Sequence, residues 1–418
     1  MTARRTPFYG LVSAYLVSEV GTAMSSVAIP WLVLVTTGSA AATGIVGFAQ
    51  MAPYVTLQAT AGPIVDRVGL RRTFLIGNGI AALIMCAIPA LHAAGRLSLG
   101  TIAGLVAVAG AVRGVADCAT APLVPATADL GRFPYERATG IYSAANRTAM
   151  LLGVPLAGVL IAATGAASVV LIDGISFAAA AVILASLVPA SVGRPLRDAA
   201  SITLRGYVAD LAEGLRYLGA DRLLLGLAVT AAITNLADQA LFSVLLPVWA
   251  HDRAHRAIAL GLAGGALGLG LLAGVVLGAW LGPRMPRRLI YATGLLISGS
   301  PPFFALAAWA SIPPVLVVMV ICGVAGGVLN PISGAVLYER IPPELQARVL
   351  GAVKACAWLG IPLGSLFGGL LAETAGLTSA LVTCGSVMLL ATLAPIVFPA
   401  WRGMERQASP AATVASPG

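Results

Sequence analysis

The amino-acid sequence predicts an all-α integral membrane protein with twelve transmembrane helices in two six-helix bundles. Of its 418 residues, 59% are hydrophobic and only 10% are charged, and the mean hydropathy is +0.94. Ordinary soluble domains do not reach these values. Twelve apolar runs are about 20 residues long or more, the length at which a helix crosses ~30 Å of hydrocarbon. A repeat that relates the two halves of the chain groups these runs six and six.

The apolar runs follow one another in two series. The first series is predicted to form an N-terminal bundle over residues 1–189, and its runs cover roughly 8–36, 41–65, 73–94, 98–128, 138–164 and 166–189. The second is predicted to form a C-terminal bundle over residues 223–400, and its runs cover roughly 223–250, 256–283, 287–311, 313–338, 347–372 and 375–399.

Two polar segments flank the second series. Residues 190–222 are predicted to be a cytoplasmic linker containing an amphipathic helix on the membrane face, because their apolar residues recur at helical spacing opposite the charged ones. The apolar residues are Leu204, Val208, Leu211, Leu215 and Leu218, and the charged ones are Asp210, Glu213 and Arg216. Residues 401–418, rich in Ala, Ser and Pro, are predicted to be a disordered cytoplasmic tail.

The arginines predict the orientation. Nearly all of them fall on one side of the predicted membrane, and only Arg96, Arg253 and Arg256 fall on the other. Because cytoplasmic loops carry the excess of basic residues, both termini are predicted to be cytoplasmic. The net charge of +9 is spread over short loops and forms no continuous basic face, so we expect no nucleic-acid partner.

An internal repeat relates the two series of runs. A shift of 216 or 217 residues superimposes several prolines, glycines and arginines, and a shift of 207 superimposes the Leu-Gly-Val-Pro-Leu and Leu-Gly-Ile-Pro-Leu segments at 152–156 and 359–363. The first group pairs Pro30 with Pro247, Gly44 with Gly261, Gly47 with Gly264, Gly62 with Gly278, and Arg71 and Arg72 with Arg287 and Arg288. Halves of equal orientation form a parallel repeat about an axis along the membrane normal.

The chain lacks the motifs of ATP-driven pumps and of common hydrolases. No G-x-x-x-x-G-K-[ST], H-E-x-x-H or G-x-S-x-G occurs, and the histidines lie at or near predicted outer loops. The five cysteines lie in apolar runs and have no metal-ligand spacing. We therefore expect neither a cofactor nor a metal, and a membrane-embedded enzyme is only a remote alternative.

The stretch GPIVDRVGLRR, residues 62–72, places four charges between two long apolar runs. Its spacing resembles the signature loop between the second and third spans of the major facilitator superfamily of secondary transporters. The segments at 132–147, 173–177 and 210–218 resemble drug–proton antiporters of the macrolide-efflux and siderophore-exporter kind. The resemblance implies the major facilitator fold, in which spans one, four, seven and ten line a central cavity.

Ionisable groups inside the bilayer are the candidates for chemistry, because each costs at least ~2.5 kcal/mol to place there. Glu19 lies near the middle of the first span, and Arg113 and Asp117 share one face of the fourth span. These three are the predicted proton-coupling residues, with Arg113 at a depth where it could face Glu19. Asp173, near the outer end of the sixth span, is expected to be structural.

Polar and aromatic residues on the first, seventh and tenth spans are the predicted walls of a substrate cavity. They are Tyr15, Thr22 and Ser26 on the first span, Asn235, Asp238 and Phe242 on the seventh, and Asn330 on the tenth. Such mixed walls suit an amphipathic organic molecule. Asp238 is expected to contact a cationic or hydrogen-bonding part of the substrate.

The loop at 62–72 is predicted to act as a conformational latch. Asp66 is expected to pair with Arg67, or with an arginine at the start of the eleventh span such as Arg348, when one face of the protein is closed. The remaining predicted latch residues are Gly62, Gly69, Arg71 and Arg72.

The sequence thus predicts a secondary active transporter of the bacterial inner membrane, working as a monomer in the lipid bilayer. The expected function is proton-coupled efflux of an amphipathic small organic molecule, such as a drug, an antibiotic or a siderophore-like metabolite, by alternating access. Proton-coupled uptake of a small nutrient is the alternative, because it uses the same fold and residues in the reverse direction.

Overall fold

A computed structural model of the chain describes residues 5–194, 204–281, 286–342 and 345–405, and the regular structure in these ranges is helical. Twelve helices are long and apolar enough to cross a membrane, as predicted. In chain order, spans 1 to 6 are Thr6–Thr37, Ala40–Thr60, Leu70–Ala93, Leu99–Gly131, Tyr135–Thr164 and Ala166–Leu187. Spans 7 to 12 are Arg222–Asp252, Ile258–Gly278, Arg287–Ala308, Ile312–Arg340, Arg348–Ala375 and Leu377–Val397.

Local sequence signals set where several spans begin and end. Ser39 and Ser98 accept hydrogen bonds from the first-turn N–H groups of Ala42 and Thr101, and so cap spans 2 and 4. Asp221 caps span 7 in the same way and also pairs with Arg340, 2.5 Å away. Burial acts to raise the pKa of Asp221, but the hydrogen bonds from Arg340 and the backbone outweigh it and hold that pKa below its ordinary value.

Single glycines form two of the turns between neighbouring spans. Gly165 separates spans 5 and 6, and Gly376 separates spans 11 and 12, with φ values of 85° and 82°. A residue with a Cβ is strained in this region, so glycine permits an almost immediate reversal of the chain. The two glycines occupy equivalent places in the two halves.

The two halves of the protein share one packing scheme. In the first half, span 1 packs on spans 5 and 6, span 2 on span 4, and span 3 on spans 4 and 6. In the second half, span 7 packs on spans 11 and 12, span 8 on span 10, and span 9 on spans 10 and 12. These contacts correspond one to one, as the sequence repeat predicts.

An arginine at the start of the third span of each half joins that span to the sixth. The Arg71 guanidinium donates to the carbonyl oxygens of Val188 and Ala185, both at 2.8 Å. The Arg288 guanidinium donates to those of Pro395 at 2.8 Å and Ile396 at 3.0 Å. Each arginine thereby binds carbonyl oxygens at the end of the sixth span, where a cation is favoured. The correspondence of Arg71 and Arg288 supports the shift of 217 residues.

Two helix crossings hold the halves together. Span 2 crosses span 11, where a Cβ on Gly44 would lie 2.4 Å from the Ser365 carbonyl oxygen. Span 5 crosses span 8, where a Cβ on Gly158 would lie 2.6 Å from the Gly261 Cα. Glycine is needed at both crossings because the backbones approach too closely for a side chain.

Both crossings lie at the end of the spans remote from the Gly62–Val68 segment. There the Glu373 carboxylate, at the end of span 11, also accepts hydrogen bonds from the Ser39 hydroxyl at 3.0 Å and the Ala41 N–H at 3.2 Å in the other half. Toward the opposite end, a Cβ on Gly140 of span 5 would meet no atom within 4 Å. In the described residues, these contacts join the two halves at the end remote from the Gly62–Val68 segment, here called the closed end, and the end that carries the segment is called the open end.

The chain is ordered beyond the point that the sequence predicts. Residues Pro399–Met404 form a 3-10 helix, and Trp401 is 2% exposed and stacks on Tyr291 at 5.7 Å between ring centroids. The prediction of disorder from residue 401 was wrong for this stretch, because the apolar Trp401 and Met404 pack into the core of the second half. The rest of the predicted tail, 406–418, lies outside the described residues.

The linker does contain the expected helix, Leu204–Ala220. Leu218 is buried against the second half, and a Cβ on Gly214 would lie 2.4 Å from the Arg348 carbonyl oxygen. The helix thus lies directly on the start of span 11. The first part of the linker, 195–203, lies outside the described residues.

Candidate functional site

A charged cluster joins spans 1, 2 and 4 in the first half. Nη2 of Arg113 lies 2.8 Å from Oε1 of Glu19 and 3.2 Å from Oδ1 of Asp117. The hydroxyl of Tyr54, on span 2, donates to Oδ2 of Asp117 at 3.1 Å. The structure therefore brings together all three predicted proton-coupling residues, although their function as such is a proposal.

Glycines on span 4 explain why Tyr54 can reach this cluster. A Cβ on Gly110 would lie 2.0 Å from the Gln50 carbonyl oxygen, and one on Gly114 would lie 2.5 Å from that of Tyr54. Spans 2 and 4 thus touch backbone to backbone, which carries the Tyr54 hydroxyl to Asp117. The Arg113 guanidinium also lies 4.9 Å from the centre of the Phe177 ring of span 6, a favourable cation–π distance.

The cluster has more negative than positive groups. Its side chains are nearly buried, with exposed fractions of 9% for Arg113, 13% for Glu19 and 17% for Asp117. A buried guanidinium between two carboxylates compensates only one of them, and an uncompensated buried charge is costly. Uptake of one proton by the pair of carboxyl groups would make the cluster neutral.

The other predicted residues of span 1 are occupied by local contacts. The Tyr15 ring packs on Tyr142 with 4.5 Å between centroids, and its hydroxyl accepts a hydrogen bond from Asn146 at 2.8 Å. The hydroxyls of Thr22 and Ser26 donate to carbonyl oxygens of their own helix, at 2.9 and 2.7 Å. Those two hydroxyls are left with only acceptor capacity toward a ligand.

A central cavity of about 320 Å³ lies between the two halves, just inside their crossings. Its wall combines apolar and amide side chains and includes Ser26, Gln50, Met51, Met150, Gln239 and Phe242. Of these, only Ser26 and Phe242 were predicted. Gln50 and Gln239 are uncharged polar residues inside apolar runs, and that feature is the sequence signal that could have identified them.

A second cavity, here the C-terminal cavity, has about 450 Å³ and lies within spans 7 to 12. It is lined by the predicted Asn235, Asp238 and Phe242, together with Tyr291 and Ser298. Phe242, Leu267 and Leu271 border both cavities, so the two adjoin.

Asp238 differs from the acids of the first half. Its carboxylate lines the C-terminal cavity and forms neither an ion pair nor a hydrogen bond with any part of the chain that the structure describes. The neighbouring Asn235 is instead engaged, because its amide donates to the Ala357 carbonyl oxygen at 2.9 Å. Asp238 therefore presents an unneutralised acid to the cavity.

Span 7 is irregular just beyond Asp238. Residues Leu241–Leu245 form a π-helical turn, a rare geometry that often marks functional sites. The turn contains Phe242 and Ser243, and the Ser243 hydroxyl meets that of Ser365 at 3.0 Å. The Gln239 amide also donates to Ser365, at 3.2 Å, which ties this part of span 7 to span 11.

The helix of span 10 also breaks near a predicted residue. Span 10 consists of Ile312–Gly327 and Leu329–Arg340, with Val328 between them. Asn330 lies in the first turn after the break, so its backbone agrees with the expected polar interruption. Its side chain lies outside what the structure describes.

The predicted latch is not engaged in this structure. Nη1 of Arg348 lies 2.6 Å from Oε2 of Glu213 on the linker helix, whereas the expected pair of Asp66 with Arg67 or Arg348 is not formed. Among the described residues, Asp66 has no ion-pair partner. The physical reason is that the linker helix lies on the start of span 11, which places Arg348 beside Glu213.

The loop itself is a short helix, Gly62–Val68, and not an irregular turn. Gly69 ends it with a φ of 91°, as expected for that glycine. Gly62 is helical and has no neighbour within 4 Å of a Cβ position. Arg67 and Arg72 are exposed.

Two equivalent six-helix bundles, cavities at their junction and buried charges beside them define a secondary transporter of the alternating-access class. The chain belongs to the Major Facilitator Superfamily, whose family model matches residues 11–255 and 229–415. The predicted resemblance is thereby confirmed, and the protein is a multi-pass membrane transporter and not an enzyme.

Curated relatives match along nearly the whole chain. Multidrug efflux pump Tap of Mycobacterium tuberculosis is 29% identical over 409 residues, which cover 96% of this chain and 96% of that protein. Multidrug efflux pump Tap of Mycolicibacterium fortuitum is 28% identical over 417 residues, which cover 97% of this chain and 99% of that protein.

Solved transporters share the fold at low sequence identity. The nucleoside transporter NupG superimposes with a TM-score of 0.74 at 10% identity, covering 93% of this chain and 99% of NupG. A bacterial homologue of the human lysosomal transporter Spinster, in an inward-facing and unoccupied conformation, superimposes with a TM-score of 0.70 at 15% identity. That match covers 98% of this chain and 100% of the homologue.

Proposed function

We propose that this protein exports amphipathic small organic molecules of the drug and antibiotic class across a bacterial inner membrane, in exchange for protons. The export of drugs is supported by relatives named as multidrug efflux pumps that match along nearly their whole length. The protein works as a monomer. Both of its termini lie in the cytoplasm, which agrees with the distribution of arginines along the chain.

The observation that carries proton coupling is the ion cluster of Glu19, Arg113 and Asp117. Its two carboxylates share one guanidinium nitrogen, so protonating Glu19 releases Arg113 to Asp117 alone. The protonated cluster is then neutral, and the two halves can close around it without burying net charge. Proton binding thereby becomes the condition for one direction of the conformational change.

The two bundles, residues 1–189 and 223–400, are the bodies that move. With the termini in the cytoplasm, the present state is closed on the outside and open to the cytoplasm. In this state the substrate enters the central cavity from the cytoplasm or the inner leaflet. Rocking about the crossings at Gly44 and Gly158 would open the outer end and close the inner one.

The two adjoining cavities form the substrate site. Met51, Met150 and Phe242 provide a polarizable apolar surface that adapts to different shapes, while Gln50 and Gln239 provide hydrogen bonds. The site thus suits an amphipathic molecule with a cationic or hydrogen-bonding end directed at Asp238.

Asp238→Asn is expected to weaken the binding of cationic substrates about 10-fold or more, because a charge-assisted contact with the substrate is lost. Neutral substrates should lose much less affinity. Binding to the purified protein, compared between charged and neutral compounds of similar size, measures the difference. Asp252→Asn, in an exposed acid of the same span, is the matched control. Equal losses for charged and neutral compounds would contradict the role of Asp238.

Asp66 is proposed to act when the inner end closes. Closure would bring the start of span 11 to the Gly62–Val68 segment, and Arg348 would exchange Glu213 for Asp66. Arg67, Gly69, Arg71 and Arg72 would hold the segment in place for this contact.

Asp66→Asn is therefore expected to reduce transport severely while substrate affinity in the inner-open state stays near wild type. The reason is that the substitution destabilises only the inner-closed state. Transport and equilibrium binding are measured on the same preparation, with Asp129→Asn as a control at another acid of the same end. A loss of binding in proportion to transport would place the loop in the substrate site instead.

Transport of candidate compounds into inverted membrane vesicles under an imposed pH gradient tests the proposed function. Export with proton exchange predicts accumulation that collapses when the gradient is dissipated. Loss of compound from preloaded vesicles under the same gradient would indicate uptake in the cell, and insensitivity to the gradient would exclude proton coupling.

A further inference from the structure

Asp173 of span 6 is a carboxyl group buried at the contact of spans 1 and 6. It is 1% exposed, and span 1 lies directly on it, because a Cβ on Gly21 would be 2.4 Å from its Oδ1. Any side chain at Gly21 would collide with the acid. The sequence predicted a structural role for Asp173, but its surroundings differ from those of a structural ion pair.

Asp173 has no ion-pair partner within the part of the chain that the structure describes. Its Oδ1 receives one hydrogen bond, from the Ser176 hydroxyl at 3.3 Å, and it forms no ion pair. Ser25 of span 1 turns a buried hydroxyl toward the same carboxyl, and that oxygen has no formed hydrogen bond of its own. A protonated Asp173 would donate to Ser25 and satisfy both groups, whereas an ionised one would be a buried, uncompensated charge.

Asp173 also lies close to the proton-coupling cluster. Phe177, one helix turn along span 6, carries the Arg113 guanidinium 4.9 Å above its ring. Glu19 and Asp117 both contact Nη2 of that guanidinium, and its Nε and Nη1 have no hydrogen bond to any described residue. Arg113 therefore has donors available, and Asp173 lies one turn, or ~5 Å along span 6, from the ring that contacts the guanidinium.

The two acids lie at similar depths, with Asp173 slightly nearer the closed end. Gly21, which lies against Asp173, is two residues, or ~3 Å, beyond Glu19 along span 1. Glu19 itself lies 13 residues, or ~20 Å, from the start of span 1 at the open end, and its side chain is 13% exposed in this state. Asp173 therefore lies on the outer side of Glu19.

We propose that Asp173 is the outer station of a two-station proton relay whose inner station is Glu19, with Arg113 as their shared counter-charge. This inference rests on the proposed proton-coupled function. In the inner-open state Asp173 is protonated and Glu19 is ionised beside Arg113. In the transition, the proton passes from Asp173 to Glu19 as Arg113 turns to Asp173, so the charge of the cluster does not change.

The cycle closes with one proton moved. In the outer-open state the ionised Asp173 takes a proton from outside water, and Arg113 returns to Asp117. After the inner end reopens, Glu19 releases its proton to the cytoplasm and pairs with Arg113 again. The charged groups that act on Asp173 are Glu19 on span 1 and Arg113 on span 4, and Cys86 on span 3 lies against the neighbouring Gly174. Tyr15 and Tyr142 stack on each other farther along spans 1 and 5.

Asp173→Asn tests the relay, because the carboxamide keeps the shape of the protonated acid but cannot release or take up a proton at the pH of the assay. In reconstituted vesicles, we expect pH-gradient-driven transport to fall to background while substrate exchange without a gradient continues. Ser186→Ala, at an exposed serine of the same span, should transport at a rate near wild type. Gradient-driven transport by Asp173→Asn at the wild-type rate would overturn the relay.

Infrared spectroscopy of the Asp238→Asn protein, which removes the other unpaired buried aspartate, tests the same point by detecting the proton on Asp173. A protonated carboxyl group gives a C=O stretching band, and labelling aspartate with ¹³C should shift this band in the inner-open state. A band that shifts only on labelling glutamate would overturn the assignment of the proton to Asp173. Failure of the wild-type protein to couple transport to protons would instead reject the proposed function, so the two failures are distinguishable.

Discussion

Glu19→Gln is expected to reduce pH-gradient-driven export to the level of vesicles without protein, while substrate binding and exchange persist. Glutamine keeps the size and a hydrogen-bond acceptor of Glu19, but it is permanently neutral. Arg113 would remain paired with Asp117 throughout the cycle, as in the protonated state. The conformational change could then proceed, but no proton would be required for it.

Two assays on one preparation separate these effects. Accumulation under a pH gradient measures coupling, and counterflow of labelled against unlabelled substrate measures binding and conformational exchange. Glu136→Gln makes the same chemical change at an exposed position of span 5 and should behave as wild type. Normal gradient-driven transport by Glu19→Gln would move the proton site away from Glu19, and Asp117 would be the next acid to test.

Arg113→Leu is expected to be the most damaging single change in the first half. It leaves Glu19 and Asp117 as two neighbouring buried acids without a cation, and removing one partner of a buried ion pair costs about 3–5 kcal/mol. We expect a strongly lowered unfolding temperature and no transport. Thermal unfolding of the purified protein, together with vesicle transport, measures both effects.

A neutralised cluster provides the control for Arg113→Leu. Combining Arg113→Leu with Glu19→Gln and Asp117→Asn removes the uncompensated charges. The unfolding temperature of this triple variant should return most of the way to the wild-type value, while transport stays absent. Arg113→Lys should keep much of the stability, because it retains a cation, but lose the forked geometry of the guanidinium. An unchanged unfolding temperature in Arg113→Leu would show that the acids are not held as ions by Arg113.

The limits of the spans could be predicted from the sequence, and so could the proximity of Glu19 and Arg113. Each of these predictions depends on the position of a residue along its helix. Hydropathy locates each span, and a rise of 1.5 Å per residue converts sequence position into depth. The same reasoning places Asp117 one turn from Arg113. Depth therefore identified the cluster before any contact was known.

Contacts that depend on rotation of one helix against another could not be predicted in this way. Tyr54 reaches Asp117 because Gly110 and Gly114 let spans 2 and 4 touch, and Gly21 similarly lays span 1 on Asp173. A single sequence with many glycines in its spans does not tell which of them form such contacts. Asp173 was expected to be structural because it lies near a span end, and the sequence did not show that span 1 covers it.

The partner of Arg348 could not be predicted from the sequence. Arg348 could be expected to pair with an acid, but the sequence does not choose between Asp66 and Glu213, which lie on different segments. The structure contains the pair with Glu213. In the second half, the buried Trp401 was missed because its neighbours in sequence are those of a polar tail, whereas its packing partner Tyr291 is distant along the chain.

The proposed mechanism exchanges substrate for protons at the Glu19–Arg113 pair. The most direct test of this exchange is to measure proton movement while substrate is transported. The purified protein is placed in vesicles containing a pH-sensitive dye, and a substrate gradient is applied without a pH gradient. We predict that protons move opposite to the substrate in the wild-type protein and that Glu19→Gln moves substrate without moving protons. Substrate transport by the wild-type protein with no accompanying proton flux would contradict the proposed mechanism.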